Sequence, residues 1–395
     1  MARLLLEWEV EDNHPLSALT LHDTKKEARP LKNLVTLMLL ALSAPLLAQD
    51  AADEAPAEKF TVHGYLTQAF AKTDGEQILG ITKDGTTDYR RAAVLLRFTP
   101  TTKDALVIQI AHRRLGLSPS TQFETDLKLD WGFYERKLGQ DTSLRVGRLP
   151  QPMGLLNETR YVGTLLPFYR TPYNFYQEGS FTSETVDGLA LRHAIAPAKS
   201  WNAEISAYAG GFSMIESSDN GLVKTRAEKM VGGQVWLNTP LSGLRFGVGA
   251  QRFNLDGTVL VADGKDVWNN YYASGEYAGS RVKLRSEYRK TKIHDARVNF
   301  ETYYVYGGLN VSSRLTLHAQ FDTSKLDFPT AAGRFEVKKY YEDKTLGATF
   351  AVRPDVVVKG EYHWTDSQLL ETNIRPIGAP SRPTNYGIVS MSVSF

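Results

Sequence analysis

From Phe60 onward, apolar and polar side chains alternate with a period of two in segment after segment. Leu106, Ile108 and Ile110 fall on one parity, against Val107, Gln109 and Ala111 on the other. Leu127, Leu129, Trp131 and Phe133 alternate with Lys128, Asp130, Gly132 and Tyr134. Leu244, Phe246, Val248 and Ala250 alternate with Arg245, Gly247, Gly249 and Gln251, and Val356, Val358, Tyr362 and Trp364 oppose Lys359, Glu361 and His363. A strand turns successive side chains to opposite faces, so this period predicts strands with one apolar and one polar face. The stretch Asn385–Phe395, NYGIVSMSVSF, shows it most cleanly: Val389, Met391, Val393 and Phe395 share one face, and Ser390, Ser392 and Ser394 the other. About 16 such segments are predicted, beginning near residues 60, 87, 103, 126, 142, 184, 200, 226, 243, 266, 280, 299, 313, 338, 354 and 384.

The connections between segments alternate as well. Short ones (100–102, 139–141, 196–199, 239–242, 279 and 353–354) are interleaved with long polar ones near 73–86, 116–125, 150–183, 212–225, 256–265, 325–337 and 366–383. Aromatic residues gather near segment ends, among them Trp268, Tyr271, Tyr272, Tyr303, Tyr304, Tyr340, Tyr341, Trp364 and Tyr386. A soluble sandwich with Greek-key links has no reason to alternate its connections by length. Short turns at one end, long loops at the other, an apolar band and aromatic girdles are what a closed transmembrane barrel requires. The expected fold is all-β: an antiparallel up-and-down barrel whose closing strand is Asn385–Phe395. In water that apolar strand would be an aggregation-prone edge.

Composition narrows the alternatives. The 395 residues include no Cys, which excludes a disulfide framework and thiolate metal sites. Mean hydropathy is −0.31, and no stretch after residue 50 approaches the ~20 apolar residues a membrane helix needs. A barrel escapes that limit, because only alternate residues face lipid. With 46 basic and 44 acidic side chains, the near-balanced charge argues against a polybasic nucleic-acid binder.

The one continuous apolar run, Leu34–Leu47, follows Lys32 and ends at Ala48-Gln49. A basic start, an apolar middle and a small residue at the cut make 31–48 a secretory signal peptide. Residues 1–30 then read as a non-native or mis-annotated extension, 49–59 as a short periplasmic lead-in and 60–395 as the barrel.

A barrel of about 16 strands is too wide for its side chains to fill. The longest loop, Pro150 to about Ser183, is apolar and aromatic for a water-facing segment, with Tyr161, Phe168, Tyr169, Tyr173, Phe175 and Tyr176. Exposed, it would be a liability. It is expected to fold inward as a third loop and narrow the lumen; packing on a neighbouring subunit or on the rim is the other reading. The stretch SLRVGRLPQPMGLLNETRY, followed by ETVDGLALRH, resembles the sixteen-stranded Gram-negative outer-membrane porin superfamily, and its phosphate-selective-type and related uncharacterised members in particular. The resemblance lies in the architecture from Phe60 to Phe395, the R-x-G-R strand at Arg145–Arg148 and the D-G-L-A strand at Asp187–Ala190. It implies a passive channel for small hydrophilic solutes, a homotrimer, and a constriction formed by the third loop. It also implies surrounding outer-membrane lipid and lipopolysaccharide, and insertion by assembly machinery that reads the C-terminal strand.

Charges at a constriction set selectivity. On the parity opposite the lipid face fall Arg91, Arg97, Arg113, Lys128, Arg136, Arg145, Arg245, Lys283, Arg285, Arg289, Arg314 and Lys359. Fewer acids share it: Asp130, Glu287, Asp322 and Glu361. Arg113, Arg145, Arg148 and Arg170 are the candidates for the positive side of the constriction, with Glu158 and Glu178 opposing them. The excess points to anion preference, while arginines that merely brace the wall by pairing across strands are the competing reading. The aromatic loop alternatively offers a sliding surface for sugars or aromatic acids. An outer-membrane hydrolase is disfavoured: His63, His112, His193, His294, His318 and His363 are scattered, without a G-x-S-x-G elbow or an H-E-x-x-H pair. No cofactor or metal site is expected.

Overall fold

A computed structural model describes residues 59–118, 127–176, 184–198, 200–218, 221–256, 264–331, 333–367, 369–370, 373–374 and 382–395. The expected extension, signal peptide and most of the lead-in lie outside the described residues. The first strands are β1 (Phe60–Thr73), β2 (Thr86–Phe98), β3 (Asp104–Leu115), β4 (Lys128–Lys137) and β5 (Thr142–Pro150). Then come β6 (Thr185–Ala198), β7 (Trp201–Ser218), β8 (Gly221–Asn238), β9 (Leu244–Asp256) and β10 (Lys265–Ala278). The series continues through β11 (Val282–Ile293), β12 (Val298–Asn310), β13 (Leu315–Thr330), β14 (Gly333–Arg353) and β15 (Val356–Ser367). A two-residue pairing of β16 (Leu369–Leu370) with β17 (Asn373–Ile374) precedes β18 (Arg382–Ser394).

Sixteen of these strands, all but β16 and β17, form one closed antiparallel barrel in which each pairs with its sequence neighbours. Closure is made by β18, which pairs with β15 on one side and β1 on the other, from Tyr65↔Ser394 to Thr73↔Tyr386. At the seam Phe395 and Gly64 exchange both backbone hydrogen bonds, 2.9 and 3.0 Å. The Phe395 ring lies where a Cβ on residue 64 would stand, so glycine is needed there.

The two faces separate as the alternation requires. On β18, Val389 and Met391 are half exposed on the outer face, whereas Ser390 and Ser392 are buried on the lumenal one. Outer-face exposure recurs at Leu66, Val94, Ile110, Val146, Leu189, Val248, Leu284, Val305, Leu317 and Leu346, one from each of ten strands. The lumenal parity holds the buried polar set, including Arg91, Arg113, Glu287, Arg289, Asp322 and Lys359.

Three expectations are corrected. Residues 212–225 and 325–337 are not long loops. Strands β7 and β8 pair out to Ser218↔Gly221, and β13 and β14 out to Thr330↔Gly333. These extensions carry charges on the outward parity, which reads as loop, yet each is apolar on the other side: Phe212, Met214 and Ala227 are buried along β7–β8, and Phe300, Leu326, Phe328 and Val337 cluster along β12–β14. Second, β4 changes face midway. Leu129 pairs with Ile110 and Trp131 with Gln109, which leaves Asp130 as an extra residue in the ladder. Beyond this bulge Trp131, Phe133 and Glu135 take the lumenal parity, and Tyr134 and Arg136 the outer one, because an inserted residue inverts every later side chain. Third, Arg314 belongs to the exposed turn between β12 and β13 rather than to the wall.

The lipid-facing assignment has an energetic consequence. Val248, mid-band on β9 and 59% exposed, is expected to lose roughly 2–4 kcal/mol of barrel stability when replaced by Arg, the cost of a cation near the bilayer midplane. Equilibrium unfolding in lipid vesicles measures it, with the lumenal Gln251→Arg substitution, on the same strand, as the comparison; an unchanged V248R midpoint would refute the outward placement.

Candidate functional site

The segment between β5 and β6 is held to the wall by a set of lumenal side chains, and glycine decides where it comes close. Gly154 has φ +63°, and a Cβ there would stand 2.6 Å from Glu287 Oε1 and 2.8 Å from Tyr176 Oη. Glu287 on β11 is the principal anchor. It accepts from the Leu155 N–H at 2.9 Å, from Ser274 at 2.6 Å, from Tyr304 at 2.7 Å and from the Tyr176 hydroxyl. Burial first, then the Glu287 charge, raises the Tyr176 phenol well above its ordinary range, so it remains a donor.

Further along, Glu361 on β15 accepts the Tyr169 N–H at 2.8 Å and Lys359 donates to the Phe168 carbonyl at 3.3 Å. Asp322 on β13 accepts the Asn174 N–H at 3.1 Å, and Arg289 donates to the Asn174 carbonyl at 3.0 Å. Thr164 donates to Ser394 on β18 at 3.1 Å, and Tyr272 on β10 to the Pro152 carbonyl at 3.1 Å.

The aromatic residues complete this attachment. Tyr161, Phe168, Tyr169, Tyr173, Phe175 and Tyr176 are all buried. Phe168 meets Tyr306, His318 and His363 edge-on, and Phe175 meets Tyr272 and Tyr304 in the same way. Such edge-to-face contacts add roughly 0.5–1.5 kcal/mol each beyond the area they bury.

A second anchor closes the base of the segment. Glu184, just before β6, pairs with Arg113 at 2.9 Å and accepts from the Tyr161 hydroxyl. Its carbonyl takes the Gln151 N–H at 3.0 Å and the Asn157 amide at 3.0 Å. Burial would raise the Glu184 carboxyl, but Arg113, Arg160, Lys128 and Arg91 outweigh it and bring it down to about 2.

The underside of the segment (Pro152–Thr159), the lumenal faces of β4–β9 and the turn between β4 and β5 line an open pocket of about 520 Å³. Arg145, Arg192 and Arg245 line it, together with Glu135, Glu158 and Glu204. Glu158 pairs with Arg192, whereas two other carboxylates of this wall are each shared by two arginines. Glu135 is held by Arg145 and by Arg97 at 3.4 Å. Glu276 bridges Arg245 at 2.8 Å and Arg285 at 2.6 Å. Arg245 also lies 4.8 Å over the ring of Trp236, a cation–π contact.

The candidates picked from sequence divide accordingly. Arg145 and Glu158 line the same pocket, Glu158 bound to Arg192 of β6. Arg113 is buried between Asp130, Glu184 and the Tyr161 ring, 3.5 Å from its centroid, and so braces the segment. Arg170 is buried beside Tyr89 and Tyr173 within the attachment. Arg148 does not reach the lumen. It shares the outer parity of Val146 and pairs with Asp187 at 3.2 Å, because R-x-G-R places its two arginines three positions apart and therefore on opposite faces. Glu178 lies outside the described residues. Arg192 and Glu135 were missed: Arg192 is legible from its parity against Leu189 and Leu191, but Glu135 is hidden by the β4 bulge.

No protein-family model matches the chain, and no curated protein does. Solved structures do share its fold. A Salmonella typhi OmpF complex with daunomycin aligns at 11% identity with a TM-score of 0.59, covering 85% of this chain and 97% of that one. The outer membrane channel DcaP of Acinetobacter baumannii aligns at 9% identity and 0.55, covering 85% and 97%. An anion-selective porin from Comamonas acidovorans aligns at 10% identity and 0.52, covering 85% and 99%. The chain therefore has the sixteen-strand barrel fold of outer-membrane porins.

Two measurements test the attachment. Glu287→Ala orphans several buried donors at roughly 1–3 kcal/mol each; faster protease cleavage within 151–176 and a lowered urea midpoint are expected, and wild-type behaviour in both would remove Glu287 as the anchor. The second concerns acid. A carboxyl depressed from 4.5 to about 2 contributes its full stability above pH 4.5 and loses it as pH falls from there to about 2. The difference in protease protection between wild type and Glu184→Gln should thus be constant from pH 5 to 8 and vanish near pH 2; a difference that disappears on raising pH would contradict the sign.

Proposed function

We propose that this chain, with the sixteen-strand fold of the Gram-negative outer-membrane porins, is an outer-membrane porin passing small hydrophilic solutes by diffusion, with a preference for anions. The observation that carries the reading is the lumenal pocket lined by Arg145, Arg192 and Arg245 inside a closed barrel with an apolar exterior. The segment 151–176, tied to the wall through Glu287, Glu361 and Asp322, acts as the constriction. Solutes pass on the opposite side, along β4–β9.

Anion preference follows from an excess rather than from any lone cation. Arg97, Arg145, Arg192, Arg245, Lys283 and Arg285 face Glu135, Glu158, Glu204 and Glu276 on the same stretch of lumenal wall and segment. Because each bridging glutamate serves two arginines, the guanidinium groups are held in place while the field stays positive. A sliding surface of loop aromatics for sugars is less favoured, because all six rings are buried. The signal-like run 31–48 supports export, and a homotrimer is the assembly the porin resemblance implies.

Planar-bilayer conductance under a salt gradient tests the proposal. Ohmic steps with an anion-side reversal potential are expected, moved toward the cation side in Arg145→Ala/Arg192→Ala/Arg245→Ala. A cation-side wild-type potential would overturn the anion preference; a folded, heat-modifiable barrel without conductance would overturn the channel.

A further inference from the structure

The connection between β1 and β2, residues 74–85, is mostly polar in sequence, yet its tip turns into the lumen. Ile78, Leu79 and Ile81 are almost completely buried, clustered with Ala71, Tyr89 and Leu115 of the lumenal wall. Ile78 and Ile81 exchange both backbone hydrogen bonds, 3.1 and 2.8 Å, around a two-residue tip of Leu79 and Gly80. Both tip residues have positive φ, +52° and +77°. Glycine accepts that geometry freely, whereas leucine adopts it at a cost. A Cβ on residue 80 would also collide with the Leu115 carbonyl oxygen. The loop is fastened at both ends. Asp74 accepts from the Asn385 N–H at 2.9 Å and its side-chain amide at 2.8 Å on β18, and Leu117, just beyond β3, donates to the Gly80 carbonyl at 3.0 Å.

The tip packs on the 151–176 segment. Tyr169 and Tyr173 of the segment belong to the same buried cluster as Ile78, Leu79 and Ile81. Tyr89 of β2 links the two: its hydroxyl donates to the Leu79 carbonyl, and its ring lies 5.1 Å from the Tyr169 ring. The wall holds Tyr169 from its other sides. Arg91 lies 4.2 Å over its ring and donates to its carbonyl, while Glu361 accepts its N–H. Tyr173 meets Tyr341 of β14 at 5.2 Å. The tip, Tyr89 and residues 169–173 thus form one packed unit between β18 and β3.

We propose that the β1–β2 loop is a strap that holds the 151–176 segment in place, with Tyr89 as its positioning residue, and so fixes the width and selectivity of the passage along β4–β9. Its effect on current rests on the channel reading; its grip on the segment does not. A loop that only joins two strands has no need of a buried apolar tip or of a leucine held at positive φ, whose cost persists only where the surroundings enforce it. The strap grips residues 169–173, whereas Pro152–Thr159 of the same segment lines the arginine pocket. Loosening the first part lets the second shift against Arg145, Arg192 and Arg245, which widens the passage and weakens the field that a solute meets.

Because the chain has no Cys, Thr171→Cys places a single thiol at a buried position of the segment. In the reconstituted full-length barrel, its reaction with a membrane-impermeant maleimide should be slow. Adding Ile78→Ser/Ile81→Ser should speed it roughly tenfold or more, since lost apolar anchoring raises local opening. Ile78→Val/Ile81→Val should leave it slow. Tyr89→Phe keeps the ring and drops only the hydroxyl link, so it should fall between the two and serves if the double Ser variant does not fold. Planar-bilayer recordings of the Ser variant should show a noisier open current and a reversal potential closer to zero. Unchanged labelling in a heat-modifiable Ser variant, or in Tyr89→Phe where the Ser variant does not fold, would overturn the strap. Faster labelling with wild-type noise and reversal potential would overturn its part in selectivity. Faster labelling without current from any variant sustains the grip and sinks the channel, and conduction with unchanged labelling does the reverse.

Discussion

Backbone hydrogen bonding at the seam is the constraint on which everything else depends. In hydrocarbon each unpaired N–H or C=O costs several kcal/mol, so a sheet can cross a membrane only if it has no edge. The pairing of β18 with both β1 and β15 removes the edge. That requirement explains details that would otherwise look arbitrary. Gly64 is bare because the Phe395 ring covers it, and the serines of β18 are small because the segment after β5 passes close to them. A Cβ on Gly163 would collide with Ser392 and Thr67.

Closure with sixteen strands creates the next problem, an interior too wide to pack with wall side chains alone. The 151–176 segment is bonded to that wall, and its attachment is polar at the backbone and aromatic at the side chains. Backbone N–H groups of Leu155, Tyr169 and Asn174 are each taken by a lumenal carboxylate, from Glu287, Glu361 and Asp322. Carboxylates suit this role because a charged acceptor makes a stronger bond than a neutral one. Burying them is tolerable only because each is multiply bonded or has a cation nearby. Arginines on the same wall were expected to be pore charges, but several are spent on the segment instead, Arg113 on Glu184 and Arg289 on the Asn174 carbonyl.

Much of the architecture was legible beforehand. Most segment starts read from alternation fall within about three residues of the observed strands, and the face assignment of β3, β9, β11, β15 and β18 holds, because lipid on one side and water on the other enforce a strict period of two. The failures have two physical sources. Where strands rise beyond the apolar band, as in β7–β8 and β13–β14, the outward face becomes charged and alternation ceases to look like strand. Where a residue is inserted, as at Asp130, parity reverses without any local mark in composition. The charged lining was only partly legible for a third reason. Parity tells which face an arginine occupies but not whether it meets water or a buried carboxylate, and only the folded segment distinguishes Arg145 from Arg113.

The same logic of shared charge operates on both surfaces of the barrel with different results. Inside, Glu135 and Glu276 each bridge two arginines, which fixes long side chains that would otherwise swing across the lumen. Outside, Glu301 bridges Lys290 and Lys325, and Glu342 bridges Lys339 and Lys344. An acid shared by two bases leaves a residual positive field while restricting the bases that produce it. Guanidinium groups suit the inner wall, because their planar forks hold a bridging carboxylate in defined geometry.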